Sequence, residues 1–269
     1  MLAERLRLTE PDRIVFERPP VVLTIFQVRF SNLSEITEQS YIESFKRSVQ
    51  KEYPIFSPLK QTGVQFDALS GQALPLETNH WRFADEKENW AVVLAADFLA
   101  LETRRYEHFE DFLSRLRFVL DALVKHIRPK VGIRLGLRYV NEIRIGTESL
   151  SSVIRQELLG PLSVSGFEEY TAQSFQDITL GFPEDQAIQI RHGLFPDGSA
   201  VPPRPKELPP TGPFYLLDFD AYRTFSGPAR LKMDTDIIHN YVKEYHDDIE
   251  KLFRWSITKE FTESLGAQI

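Results

Sequence analysis

Arginines at 134, 138 and 144 and aspartates at 218 and 220 are the side chains in this sequence whose types and spacing could do chemistry. In "RLGLRYVNEIRI", residues 134–145, a period of two puts Arg134, Gly136, Arg138, Val140, Glu142 and Arg144 on one strand face. Leu135, Leu137, Tyr139, Asn141, Ile143 and Ile145 fall on the other. A guanidinium carries a fixed fork of donors that matches carboxylate or phosphate oxygens. A row of them on one sheet face, joined by Arg29 of the first strand, reads first as a solvated or internally paired polar face, and its functional alternative is a groove for a partner, peptide or nucleotide. Asp218 and Asp220 in "LLDFDAY" project from one side of a strand, close enough to share a cation. Two such charges also repel, and an arginine relieves that as well as a metal does, so an ion pair is the preferred reading. Arg223 is near in sequence, and Arg138 or Arg29 can be near in space. Asn141, on the apolar face, is read as satisfying backbone of the loop that follows its strand.

The histidines add little chemistry. His239 and His246 stand seven residues apart on a helical pattern, roughly two turns, which is too far to ligate one metal together. His246 beside Asp247 and Asp248 reads as a capping or solvated group, and His192 in "IRHGLF" as a hydrogen-bonded structural residue. No metal and no cofactor is expected. The chain has no G-x-x-x-x-G-K-[ST] loop, no G-x-G-x-x-G, no H-E-x-x-H and no G-x-S-x-G. Catalytic groups can still converge from distant positions, so the reading leans away from an enzyme without closing that class.

The elements that must position these side chains follow from periodicity. "PPVVLTIFQVRF" is a strand entered through two prolines, with Val22, Phe26, Val28 and Phe30 on one face. Asn32 and Glu35 have capping-box spacing and predict a helix with Ile42, Phe45, Val49 and Tyr53 on its buried side, stopped by Pro54. "HWRFA" and "NWAVVLAADFLALET" predict a hairpin turned at "DEKE", its second strand apolar on both faces. "YEHFEDFLSRLRFVLDALVKHI" is the best helix, with an apolar stripe from Phe109 to Ile127, closed by Pro129. After the 134–145 strand comes a short helix, "TESLSSVIRQELLG", ended by Gly160 and Pro161. Strands follow at "AQSFQDITLGF", "QAIQIRHGLF" and "PFYLLDFDAYRTF", and a long helix begins near Asp234. The stretch 196–213 holds seven of the seventeen prolines and reads as a long loop inside a hairpin.

Each half, 1–130 and 131–269, therefore runs strand, helix, two or three strands, long helix. The halves repeat in pattern but not in residue identity. This predicts an α+β unit with a curved antiparallel sheet and long helices on one face. The arrangement resembles TATA-box-binding-protein-like folds, and helix-grip folds share its features, an analogy of architecture only.

Composition sets bounds. A chain of 269 residues, 42% hydrophobic and 26% charged, can bury a sizeable core. The net charge of -7 argues against a general nucleic-acid binder or a membrane-surface protein. A local basic stretch survives it: nine Lys and Arg against four Asp and Glu from Arg104 to Arg138. Cysteine is absent, which removes disulfides and thiol catalysis and fits a reducing, cytoplasmic setting. The apolar run "AVVLAA" is too short to span a bilayer, and "MLAERLRLTEPDR" has no signal core, so neither membrane nor export is expected.

At "RLGLRYVNEI" the chain resembles a sporadically distributed, uncharacterised family of prokaryotic proteins of about this length. "FERPPVVLTIFQVRF", "EYP" at 52–54, "LETRRY" and "YHDDIEKLFRWSIT" match it too, and their order spans nearly the whole chain. The first strand departs from the pattern, with "VVLT" where an acidic residue is expected after the proline pair. The resemblance brings no reaction, cofactor or catalytic residue. Its patchy distribution implies accessory, mobile genes such as defence or toxin-neutralising modules. The leading expectation is a non-catalytic binding protein that recognises a protein partner through a sheet face or the proline-rich arm. Its binding set is Arg29, Arg134, Arg138, Asp218 and Asp220. The alternative is an enzyme or sensor holding a phosphorylated small molecule or nucleotide on Arg29, Arg134 or Arg138. Nucleic acid is the least favoured ligand, and self-association is left open.

Overall fold

The computed structural model describes residues 6, 8, 15–66, 73–144, 149–196, 212–227 and 230–268. In chain order the strands are β1 (Val15–Phe16), β2 (Val21–Phe30), β3 (Ile55–Phe66), β4 (Ala73–Ala84), β5 (Trp90–Leu94), β6 (Phe98–Thr103), β7 (Val131–Arg144), β8 (Gln176–Phe182), β9 (Gln186–Phe195), β10 (Phe214–Thr224), β11 (Leu231–Lys232) and β12 (Ala267–Gln268). The helices are α1 (Gln39–Val49), α2 (Phe109–Ala122), α3 (Leu150–Val153), α4 (Gln156–Leu159), α5 (Phe167–Tyr170), α6 (Thr235–Ser256) and α7 (Lys259–Ser264). Ten strands form one antiparallel sheet in the order β3-β4-β5-β6-β2-β7-β10-β9-β8, with β11 added to β7, and β1 pairs separately with β12. The chain is thus mixed α and β with an open antiparallel sheet. Among the described residues no helix is long and apolar enough to cross a membrane.

Two compact units divide the chain. The first comprises Ile25–Leu135 and Thr224–Asn240. Its strands are laid down by alternation: Phe26, Val28 and Phe30 of β2 are buried while Arg29 between them is exposed. Helix α1 turns Ile42, Phe45 and Val49 into the same core, each fully buried. Burial of one such side chain contributes on the order of 2 kcal/mol. The capping box expected at Asn32 and Glu35 does not form. A 3-10 turn occupies Ser34–Thr37 and α1 begins later, at Gln39, with no side-chain cap. The reason is packing: Ile36 is fully buried and its carbonyl accepts the Trp81 indole N–H, which pins the turn before the helix can start. The apolar run 89–103 is two strands rather than one. Its break at Ala95–Asp97 offers the backbone acceptors taken by Phe30 N–H at 2.9 Å and Leu33 N–H at 2.8 Å. Helix α2 buries Phe109, Phe112, Leu116, Val119 and Leu120, then widens into a π turn over Leu123–Ile127. Arg128, left-handed at φ 57, ends it ahead of Pro129.

The second unit comprises Met1–Thr24, Gly136–Arg223 and Tyr241–Ile269. The β8–β9 turn fixes its register: Glu184 and Asp185 both adopt positive φ, which sets Phe182 opposite Gln186 and runs back to Gln176 opposite His192 without a bulge. Pairing of β9 with β10 is also continuous, from Phe195 opposite Phe214 to Gln186 opposite Arg223. The proline-rich segment joins these two strands, and its residues 197–211 lie outside the described residues. The single short helix expected at 147–160 is two turns, α3 and α4, parted where Ile154 bridges to Ile257. The long helix α6 starts in residues of the first unit, where Asp234 caps its N-terminus by accepting from Asp236 N–H and Ile237 N–H at 3.0 and 3.2 Å, and continues into the second from Tyr241. From Tyr245 onward this helix is buried around most of its circumference.

Candidate functional site

Strand alternation brings the polar residues of the second unit to one face. Asp218 of β10 stands opposite Arg191 of β9, which stands opposite Asp177 of β8. Arg138 of β7 closes the row. Its Nε donates to Asp218 Oδ1 at 2.8 Å and its terminal nitrogen to Oδ2 at 2.6 Å, a bidentate fork. Arg191 donates to the same Oδ2 at 2.9 Å and lies 3.7 Å from Asp177 Oδ2. Gln189 donates to both Asp177 oxygens at 2.9 and 3.0 Å, and accepts from Arg191. Four strands thus carry charges in the sequence plus, minus, plus, minus. The Asp218 side chain is only 2% exposed and sits at the centre. Burial opposes the charge on Arg138, but the hydrogen bonds and charge of Asp218, with the charge of Asp220, outweigh it and raise its pKa.

The arginine-bearing face of β7 is not open along its length. Val140 is fully buried and Glu142 nearly so, with Arg144 donating to Glu142 at 3.2 Å and to the Gly212 carbonyl at 2.6 Å. Arg134 is half-buried and engaged, and Arg29, in the first unit, is ion-paired with Asp97. Of the five residues singled out by sequence, Arg138, Asp218 and Asp220 are therefore brought together. Arg191, Asp177 and Gln189 were missed. Their signal was present: polar residues at period two in otherwise apolar strands, with a three-residue turn that sets Asp177 across from Arg191.

The opposite face of these strands is core. Asn141 donates to the Leu217 carbonyl at 3.0 Å, backbone of the neighbouring strand β10, while the loop it was expected to serve, 145–148, lies outside the described residues. Tyr139 hydroxyl and His246 Nδ1 are 3.2 Å apart. His192 Nδ1 and the Tyr215 hydroxyl are 2.8 Å apart, and Tyr215 donates to the Leu158 carbonyl at 3.2 Å. Burial lowers the pKa of His192 and raises that of Tyr215. In the first unit, burial pushes the Tyr53 hydroxyl up to about 12, with the nearby Arg115 opposing.

His246 and Asp248 are buried, in place of the solvated face expected for them. His246, Asp247 and Glu250 place donor atoms within 4.8 Å of one another. That spacing would admit a divalent cation, yet one ring nitrogen of His246 already faces Tyr139, and the buried Arg254 lies 4.0 Å from Glu250. The set thus carries a counter-ion of its own.

What the row can do chemically follows from its charge. Both Arg138 and Arg191 are engaged by Asp218, with Asp177 3.7 Å from Arg191 and the charge of Asp220 acting on Arg138. No family model and no curated protein matches the chain.

Proposed function

We propose that this chain is a non-catalytic binding protein that recognises a protein partner. One observation carries the reading: Val164, Phe167, Tyr170, Phe175 and Ile178 are all exposed, and they lie within fifteen residues of one another. Among the described residues these are half of the exposed large apolar side chains, a local concentration of the kind found at interaction sites. The charge row is a scaffold for this region, since it locks β8 to β9 and β10. Both of its guanidiniums are already held by Asp218, which favours the protein-partner reading over the nucleotide alternative.

The finer architecture belongs to the same proposal. Strand order outward from β2 reads β6, β5, β4, and outward from β7 it reads β10, β9, β8. This matched order supports two halves of one pattern, as in TATA-box-binding-protein-like or helix-grip folds. A cytoplasmic setting is proposed on the absence of cysteine, and a role in defence or toxin neutralisation on the family resemblance alone.

Site-specific photo-crosslinking tests the reading. A photoreactive phenylalanine at Tyr170, incorporated in native cells, is expected to trap one protein at stoichiometric yield, while the same residue at Phe118 traps none. Equal, diffuse labelling from both positions would refute it.

A further inference from the structure

The two ends of the ten-stranded sheet are guarded unequally. An open strand edge is a row of unpaired N–H and C=O groups, and proteins usually blunt it with proline, lysine or a bulge. Strand β3 follows that rule, with Pro58 and Lys60 both exposed. Strand β8, at the other end, does not. "QDITLGF" contains neither proline nor lysine, pairs with β9 without a bulge, and exposes Asp177, Ile178, Thr179 and Gly181. Among the described residues no strand pairs with its outer edge.

The surroundings of this edge have a definite chemistry. Residues 156–190 contain six carboxylates and no lysine, arginine or histidine. Asp177 and Glu184 share charge with Arg191 and Arg223, and Glu168 accepts from the Leu150 N–H, but the balance stays negative. Tyr170 is 83% exposed, and Val164, Phe167, Phe175 and Ile178 range from 38% to 53%. Along β8, Ile178 and Leu180 share one face while Asp177 and Thr179 share the other.

We propose, resting on the protein-partner reading above, that β8 receives an added strand from a protein partner whose strand alternates apolar residues with lysine or arginine. Backbone bonds to the free edge would supply affinity. Apolar side chains would meet Ile178 and Leu180, and cationic ones the acidic surroundings. A second copy of this chain is the poorer occupant. Antiparallel self-pairing about Thr179 sets Ile178 across from Leu180, but it brings two negative surfaces together.

The test uses the full chain and a fluorescein-labelled peptide alternating lysine and valine, read by anisotropy. Binding is expected, at least tenfold weaker for Ile178→Lys and for Asp177→Lys, with circular dichroism confirming that both variants fold. The matching glutamate–valine peptide is expected not to bind. N-methylation of every peptide amide should abolish binding, because it blocks both hydrogen-bonding edges and leaves the side chains in place. No binding of the lysine–valine peptide, or equal binding after N-methylation, overturns strand addition. A crosslinked protein at Tyr170 would still stand in that case, so the two proposals fail separately. A dimer in sedimentation that Ile178→Lys returns to monomer overturns the heterologous partner in favour of self-pairing.

Discussion

Replacing Asp218 with alanine removes the centre of the charge row and tests whether that row holds β7, β9 and β10 together. Asp218 accepts three charge-assisted hydrogen bonds, two from Arg138 at 2.8 and 2.6 Å and one from Arg191 at 2.9 Å. Breaking a buried ion pair on one side typically costs about 3–5 kcal/mol, because the partner charge is stranded. Here the stranded groups are two guanidiniums whose side chains are 30% and 23% exposed, so water recovers part of the loss. The expected net cost is therefore about 2–4 kcal/mol. Arg138→Met should cost less, about 1–2 kcal/mol, because Arg191 continues to neutralise Asp218. Urea unfolding followed by circular dichroism reads both, as a lower midpoint at unchanged slope. A double-mutant cycle through Arg138→Met and Asp218→Ala then gives the coupling directly. If Asp218→Ala costs under about 0.5 kcal/mol, as exposed pairs do, the row is ornament and the reasoning fails.

Three further outcomes are expected. His192 is fully buried and burial lowers its pKa, so the folded state keeps it neutral while the unfolded chain takes a proton below its ordinary value of about 6.5. The unfolded state then binds more protons, so stability is complete above that pH and declines as pH falls, by at most about 1.4 kcal/mol per pH unit for this group. Urea midpoints at pH 7.5 and 5 should separate in the parent protein and separate less in His192→Gln. Gly193→Ala would set a β-carbon 1.9 Å from the Ser174 carbonyl oxygen, so it should lower the urea midpoint by the equivalent of about 2–3 kcal/mol. A neutral result there would mean the 174–175 backbone does not lie against β9. Asn141→Leu deletes the donor to the Leu217 carbonyl and should cost about 1 kcal/mol by the same assay, whereas a stabilised variant would show the amide to be dispensable.

Periodicity and turn chemistry made much of this molecule legible in the sequence. Alternation placed β2, β7, β8, β9 and β10, and the helical stripes placed α1, α2 and α6, because each element must turn one apolar face inward whatever its neighbours are. The cap at Asp234 was legible too, since one side chain and the next two backbone N–H groups suffice to form it. Tertiary contacts decided the rest. The late start of α1 depends on Trp81 reaching the Ile36 carbonyl from forty-five residues away. The split of the 89–103 run depends on backbone groups of Phe30 and Leu33. Sequence alone allowed Arg223, Arg138 or Arg29 as the counter-ion of Asp218 and Asp220, because a strand pattern says which face a side chain takes, not what stands across from it. Only the pairing of β8, β9 and β10 selected Arg138 as the counter-ion of Asp218 and added Arg191 and Asp177, turning a candidate anion surface into a row of alternating charges. The same pairing left β8 at the end of the sheet, with its outer edge open among the described residues, a property that belongs to strand order and that no local spacing encodes.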